Sequence, residues 1–142
     1  MSFKGRAIRS SMTVGILLAG IGIGVTAHRL FAAPPSFTET VLLRSDLPGI
    51  DNYELIVSRL ETAPGWLHGR HYHPGHEIVY VLEGSGALEL EGRPGQRLQP
   101  GTVSYVPPGK VHAGRNASPK ETFKFMLFRL HAKNQPISIE LN

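Results

Sequence analysis

The chain contains no cysteine among its 142 residues. This absence excludes disulfides, thiolate nucleophiles and cysteine metal ligands, and it means that cysteine usage does not indicate the redox compartment. Aromatic residues make up only 8% and charged residues only 18% of the chain, whereas glycine (16) and proline (11) are frequent. This composition is typical of one globular domain with a single core and many turns.

Most of the chain also carries no net positive charge. The formal net charge is +4, but the basic residues before Pro34 carry all of it. From Pro34 onward, 11 basic residues balance 11 acidic ones. A neutral domain lacks the basic surface that nucleic acids require, so we expect no nucleic-acid partner. The sequence also shows no Ser/His/Asp order, phosphate-binding loop or nucleotide fingerprint.

Residues 1–33 have the features of a targeting segment rather than of the folded domain. Lys4, Arg6 and Arg9 form a positive N-terminal region, and the uncharged apolar run 12–27 follows it. A transmembrane helix needs about 20 residues, so this run better fits the apolar part of a signal peptide. We therefore predict a leader at 1–33 and a folded domain at 34–142.

The small residues Val25, Thr26 and Ala27 provide a signal-peptidase site, which predicts a periplasmic or secreted domain. The alternative is an uncleaved anchor helix, lengthened by residues 30–33. The N-terminal segment would then be the membrane contact, with the domain outside the cytoplasm.

After the leader, no stretch longer than a turn shows helical periodicity. Short β-rich runs alternate with Gly/Pro turns instead, and Leu88 and Leu90 alternate with Glu89 and Glu91 as in a strand with one wet face. This pattern predicts an all-β sandwich or barrel. The predicted strands are Thr40–Arg44, Tyr53–Leu60, Ile78–Glu83, Ala87–Glu91, Thr102–Val106 and Phe123–Leu130.

Four potential metal ligands occur at two turn-containing motifs. His71 and His73 are two residues apart, so on a strand both point to one face, and the Pro74-Gly75 turn can return Glu77 beside them. His112 follows the turn at 107–109 and can reach the same place from another strand. Three imidazoles and a carboxylate suit Fe, Mn, Zn, Ni or Cu and leave coordination positions open.

The other histidines fit this site less well. His76 directly precedes Glu77 and should face the opposite way, as a surface or supporting residue. His68 is an odd number of positions from His71, so we expect it to face away as well. His131 belongs to no motif, and we interpret it as a surface or hydrogen-bonded core residue.

Both segments resemble the two conserved motifs of the cupin superfamily, G-x5-H-x-H-x3-E-x6-G and G-x5-P-x-G-x2-H-x3-N. Every specified position is filled, and the motifs span 52 of the 142 residues, from Gly65 to Asn116. The resemblance implies a jelly-roll β-barrel, a metal held by His71, His73, Glu77 and His112, and frequent dimerisation. We expect positive φ angles at Gly84 and Gly101 and interpret Asn116 as a turn or strand-end residue.

The resemblance leaves the reaction open, because cupins include enzymes, binding modules and storage proteins. Three hypotheses remain: a mononuclear oxygenase-like or isomerase-like enzyme acting on a small organic substrate, a non-catalytic small-ligand binding or sensing module, and a structural barrel with a stabilising metal. The runs 78–82 and 123–128 are apolar on both faces, which fits either a two-layer core or a homodimer contact. Candidate cavity-lining residues are Trp66, Tyr80, Tyr105, Arg115 and Phe125.

Overall fold

A computed structural model describes residues 36–141, and within this range the chain forms ten strands and no helix. The predicted leader at 1–33 lies outside the described residues. Among the residues described, there is no helix long and apolar enough to cross a bilayer. The strands are β1 (Phe37–Asp46), β2 (Tyr53–Thr62), β3 (Leu67–Tyr72), β4 (His76–Glu83), β5 (Gly86–Leu90), β6 (Gln96–Leu98), β7 (Val103–Val106), β8 (His112–Asn116), β9 (Phe123–Ala132) and β10 (Ile139–Glu140).

The strands form two five-stranded antiparallel sheets. The order is β1-β2-β9-β4-β7 in the first sheet and β10-β3-β8-β5-β6 in the second. Neighbours in these sheets are distant in sequence: β9 pairs with both β2 and β4, and β8 pairs with both β3 and β5. Such crossovers between two packed sheets are those of a jelly-roll barrel. The predicted all-β fold is confirmed.

Side-chain alternation determines which residues form the core. In β9, every second residue from Phe123 to Leu127 is buried, and the residues between them are only partly buried. The predicted alternation in β5 is confirmed, since Leu88 and Leu90 are buried and Glu89 is exposed. The core cluster consists of Leu60, Val79, Val81, Leu88, Leu90, Leu98, Val106, Phe123, Phe125 and Leu127.

All six predicted strands are present, with ends shifted by up to three residues. The β-rich runs in the sequence did not predict β3, β6, β8 and β10. Strands β3 (LHGRHY) and β8 (HAGRN) are rich in His, Gly and Arg, which have little intrinsic preference for strands. They are strands because each pairs with neighbours across the sheet.

Two glycines fix the turns beside the motifs. Gly84 has φ 78° and Gly101 has φ 85°, so the predicted positive φ angles are confirmed. Gly75, in the turn between His73 and Glu77, has a different role. A Cβ atom there would collide with the carbonyl oxygen of Leu130 in β9. The turn can approach β9 this closely only because residue 75 has no side chain.

Candidate metal centre

Cross-strand pairing places the motif residues on facing walls of the barrel. In the second sheet, His71 of β3 lies directly opposite His112 of β8. In the first sheet, Glu77 of β4 lies opposite Arg129 of β9. His73 follows the end of β3. All five side chains are buried, so the site lies in the barrel interior between the two sheets.

The three predicted histidines form one compact cluster. Ring centroids are 4.1 Å apart for His71 and His112, 4.9 Å for His71 and His73, and 5.0 Å for His73 and His112. One ring nitrogen from each lies within 4.8 Å of those from the other two. This spacing allows three imidazoles to reach one ion.

Backbone carbonyl groups determine how each imidazole is oriented. The Nδ1 atoms of His71, His73 and His112 lie 2.8, 2.6 and 2.9 Å from the carbonyl oxygens of Gly69, Ile137 and Lys110. A carbonyl oxygen can only accept a hydrogen bond, so each Nδ1 carries the proton and donates it. The Nε2 atoms are thereby left as the ligand atoms. Metal-binding histidines are commonly fixed by such a second hydrogen bond.

The Nε2 atom of His112 gives independent support for a metal. It is buried and has no hydrogen-bond partner among the described residues. A buried polar atom without a partner normally carries a free-energy cost, and an ion coordinated by the cluster would remove it. The donor set therefore fits a divalent transition metal.

The carboxylate of Glu77 lies beside the histidines and also contacts Arg129. Its Oε2 atom is 3.2 Å from Nε2 of His73 and accepts a hydrogen bond of 3.0 Å from Nε of Arg129. Its Oε1 atom lies 3.9 Å from Nε2 of His112. The carboxylate therefore reaches two of the three imidazoles. The compact group of donor atoms consists of the three histidines, and Glu77 as a fourth ligand stays a prediction.

The surroundings shift the pKa values of these groups in different directions. Burial lowers the pKa of His71 to about 4 and also lowers the pKa of His112. Both rings are therefore neutral near pH 7, as metal ligation requires.

The His73–Glu77 pair behaves differently. Burial alone would raise the pKa of Glu77, but contact with His73 and Arg129 lowers it to about 2. Burial alone would lower the pKa of His73, but the hydrogen bond and charge of Glu77 raise it. Metal binding would have to displace the proton that His73 shares with Glu77.

Arg129 was not identified from the sequence. It is 8% exposed, and its guanidinium group joins two carboxylates: Nε donates to Glu77 and Nη1 donates to Glu39 of β1 at 2.7 Å. The sequence contained a signal for this position. Arg129 is an even number of residues from Phe125 and Leu127 in β9, so its side chain is expected on the same inward face. A charged residue on the buried face of a strand requires a buried partner.

The prediction that His68 faces away from the site is wrong. Its ring stacks on that of His71 with centroids 3.8 Å apart, because a β-bulge between these residues changes the side-chain alternation in β3. His68 Nε2 also lies 3.2 Å from the carboxylate of Glu140. His68, His71 and Glu140 form a second group of closely spaced donors. Its His71 member already belongs to the buried cluster.

The other predicted non-ligands lie where the sequence placed them. His76 faces away from Glu77, and its Nδ1 pairs with the hydroxyl of Tyr105 at 2.7 Å. His131 is a buried core residue whose Nε2 pairs with the carbonyl oxygen of Gln135 at 2.9 Å.

Asn116 ends β8 and is buried. Its amide nitrogen lies within 3.3 Å of the carbonyl oxygens of Thr62, Ala63 and Glu121, and its Oδ1 accepts from the Ser118 amide. The interpretation of Asn116 as a strand-end residue is confirmed.

The imidazole cluster opens onto a cavity of about 380 Å³ between the sheets. Of the residues proposed from the sequence to line it, Trp66, Arg115 and Phe125 do so. Tyr80 and Tyr105 do not: they lie on the outer face of the first sheet, because they alternate with the inward residues Val79 and Val106.

Known proteins resemble parts of this chain. A germin-like protein of Arabidopsis thaliana (subfamily 2 member 1) is 37% identical over 75 residues, which are 49% of this chain and 34% of that protein. The dimethylsulfoniopropionate lyase DddQ of Ruegeria pomeroyi is 42% identical over 45 residues, 32% of this chain and 22% of the lyase. The chain thus matches well under two thirds of the length of these relatives.

Solved structures agree in fold. A cupin-like protein from Thermotoga maritima superimposes with a TM-score of 0.60 and 28% identity, over 75% of this chain and 79% of that one. The family model for the cupin domain matches residues 58–128, which is half of the chain and includes all four predicted ligands. The chain therefore belongs to the cupin superfamily.

Proposed function

We propose that His71, His73, His112 and Glu77 hold one divalent transition metal and that the domain is a metal-dependent enzyme acting on a small organic substrate. The observation that carries this proposal is the orientation of the three imidazoles, whose Nδ1 atoms are fixed by backbone carbonyls while their Nε2 atoms converge. When bound, the metal would supply Lewis-acid or redox chemistry at coordination positions not taken by the protein. The chain's own residues orient the ligands through the backbone carbonyls that hold their Nδ1 atoms.

The alternative is a non-catalytic module that binds a small ligand through the metal. Glu77 supports this alternative, because its carboxylate is already bound by His73 and Arg129 and is not a free base. The identity of the metal separates the two functions. Iron or manganese in protein from its native source favours redox catalysis, and zinc favours binding or hydrolysis.

Replacing both His71 and His73 with alanine is expected to abolish metal binding. Two of three imidazoles are lost, so we expect the metal content to fall from about one ion per domain to less than about a tenth of that. Elemental analysis measures the content, and circular dichroism verifies the fold. The matched control is His76→Ala, which removes an imidazole from the outer face and should leave the content unchanged. Full metal content in the double variant would refute the assignment.

We also propose that the domain is exported. The proposal rests on the basic start, the apolar run at 12–27 and the neutral domain that follows. Sequencing the N-terminus of the mature protein tests it: a start near residue 28 or 34 shows cleavage, and an intact start in the membrane fraction shows an anchor. An intact chain in the soluble cytoplasmic fraction would contradict both.

A homodimer is proposed from the outer face of the first sheet. There Ile78 pairs with Phe128 and Tyr105, and Tyr80 pairs with Met126 and Val103, which makes two apolar rows across β7, β4 and β9. Ile78 and Tyr80 remain 41% and 40% exposed. Contiguous apolar patches of this kind mark interfaces, and a second copy of a neutral domain presents the same apolar surface.

Sedimentation analysis tests the dimer. The wild-type protein should sediment as a dimer at micromolar concentration, and Tyr80→Lys should dissociate it because the lysine charge would be buried. Leu67→Lys, at an exposed position in the second sheet, is the control and should remain dimeric. A monomeric wild-type protein would refute the proposal.

A further inference from the structure

The cavity beside the imidazole cluster is lined by polar groups, among them the cluster itself, Glu77 and Arg129, and by a larger area of apolar side chains. The apolar side chains come from both sheets and are themselves buried. Protein interiors contain few voids larger than a water molecule, and small-molecule sites commonly have volumes of about 300 Å³ or more. A cavity of about 380 Å³ in this position has the size of a small-molecule site. The apolar wall consists of Leu60, Val79, Leu88, Leu98, Phe123, Phe125 and Leu127.

Positive charge inside the cavity is already balanced. Arg129 is the buried cation among the described residues, and its guanidinium is held by both Glu77 and Glu39. Arg115 also lines the cavity, but its side chain is exposed at the end open to solvent. A ligand with two carboxylates would therefore find no free cation in the interior to pair with the second one.

The exposed end of the cavity carries planar rings. Phe37 and Trp66 have centroids 6.0 Å apart, Trp66 and His68 lie 5.7 Å apart, and His68 stacks on His71. These rings form a row from the edge strand β1 to the imidazole cluster. A ligand that enters along this row meets ring faces, and the carboxylate of Glu140 beside His68, before it reaches the donors of the cluster.

From this distribution we infer that the cavity takes a small, predominantly apolar molecule with a single oxygen-bearing end group, neutral or singly negative, and that it disfavours short dicarboxylates. The inference rests on the proposed metal site, which would bind the oxygen-bearing end. The apolar wall receives the remainder of the molecule. Ligand affinity then increases with the apolar surface that is buried.

Hydroxamates of different chain length provide a direct test on metal-loaded protein. Acetohydroxamate and octanohydroxamate share the same metal-binding head and differ only in the apolar tail, and malonate represents a dianion. Loading with Co(II) gives a visible spectrum that reports binding, and calorimetry gives the dissociation constants. We expect octanohydroxamate to bind at least tenfold more tightly than acetohydroxamate, and malonate to bind more weakly than either. Equal affinities for the two hydroxamates, or tightest binding by malonate, would overturn the inference.

A variant pair locates the effect within the cavity. Leu98→Phe adds volume to the wall and should weaken octanohydroxamate binding about tenfold or more, with acetohydroxamate binding unchanged. Leu42→Phe makes the same substitution at an exposed position of β1 that does not line the cavity, and it should change neither. Equal octanohydroxamate affinities in the two variants would place the tail elsewhere and contradict the inference. The chain-length comparison on wild-type protein stands without either variant.

The two proposals fail in distinguishable ways. If the protein takes up no metal, the proposed function fails. If it takes up metal and binds acetohydroxamate but shows no preference for the longer tail, only the inference about the substrate class fails.

Discussion

Replacing Arg129 with methionine is expected to destabilise the domain by about 3–5 kcal/mol, because it removes one partner of a buried ionic group. Without this cation, the buried carboxylate of Glu77 and the partly exposed carboxylate of Glu39 would lose the group that joins them. The cost arises mainly from the desolvated charge of Glu77, and the lost packing of one side chain is a smaller part of it. Denaturant unfolding of the metal-free domain measures the change.

Arg59→Met is the matched control for this experiment. Arg59 lies on the adjacent strand β2 and pairs with Glu61 at 3.3 Å, but both side chains are substantially exposed. Exposed ion pairs contribute only about 0–1 kcal/mol, so the control should be nearly neutral. If Arg129→Met cost no more than Arg59→Met, the guanidinium would not be holding the two carboxylates as described.

Asn116→Asp should cost at least about 3 kcal/mol even though the two side chains have almost the same shape. The amide nitrogen of Asn116 faces three carbonyl oxygens, those of Thr62, Ala63 and Glu121. An aspartate oxygen at this position cannot donate to them and would bring negative charge against three acceptors. The same unfolding measurement gives the change in free energy.

Asn52→Asp provides the comparison for this substitution. Asn52 occupies an exposed turn with φ 62°, a conformation that aspartate also tolerates. The substitution there should change stability by less than about 0.5 kcal/mol. Equal effects at the two positions would show that the hydrogen bonds of Asn116 are not essential to the loop they close.

Much of the fold could be predicted because the relevant signals are local. Leu88 and Leu90 alternate with acidic residues, and Gly84 and Gly101 stand where the chain needs positive φ. The grouping of His71, His73 and His112 was also predictable, since two short motifs contain both the turns and the donors. Within each motif, these features depend on residues a few positions apart, and the pairing of β3 with β8 brings His112 to the other two histidines.

The remainder of the site depends on pairings that no local pattern shows. His68 faces the cluster because a bulge in β3 shifts the side-chain alternation, and the sequence does not mark the bulge. Arg129 meets Glu77 only because β9 lies beside β4, and it meets Glu39 only because β1 ends the same sheet. Strand order and register must be known before either contact can be inferred.

The span of the Arg129 contacts has a consequence for when the site forms. Arg129 is 52 residues from Glu77 and 90 residues from Glu39 along the chain. Closing such long loops is entropically costly, so we expect these contacts to form late, after the sheets have paired. A nascent or partly folded chain therefore lacks the arranged carboxylates. If the chain is exported before it folds, the compartment in which it folds, rather than the one in which it is made, determines which metal it acquires.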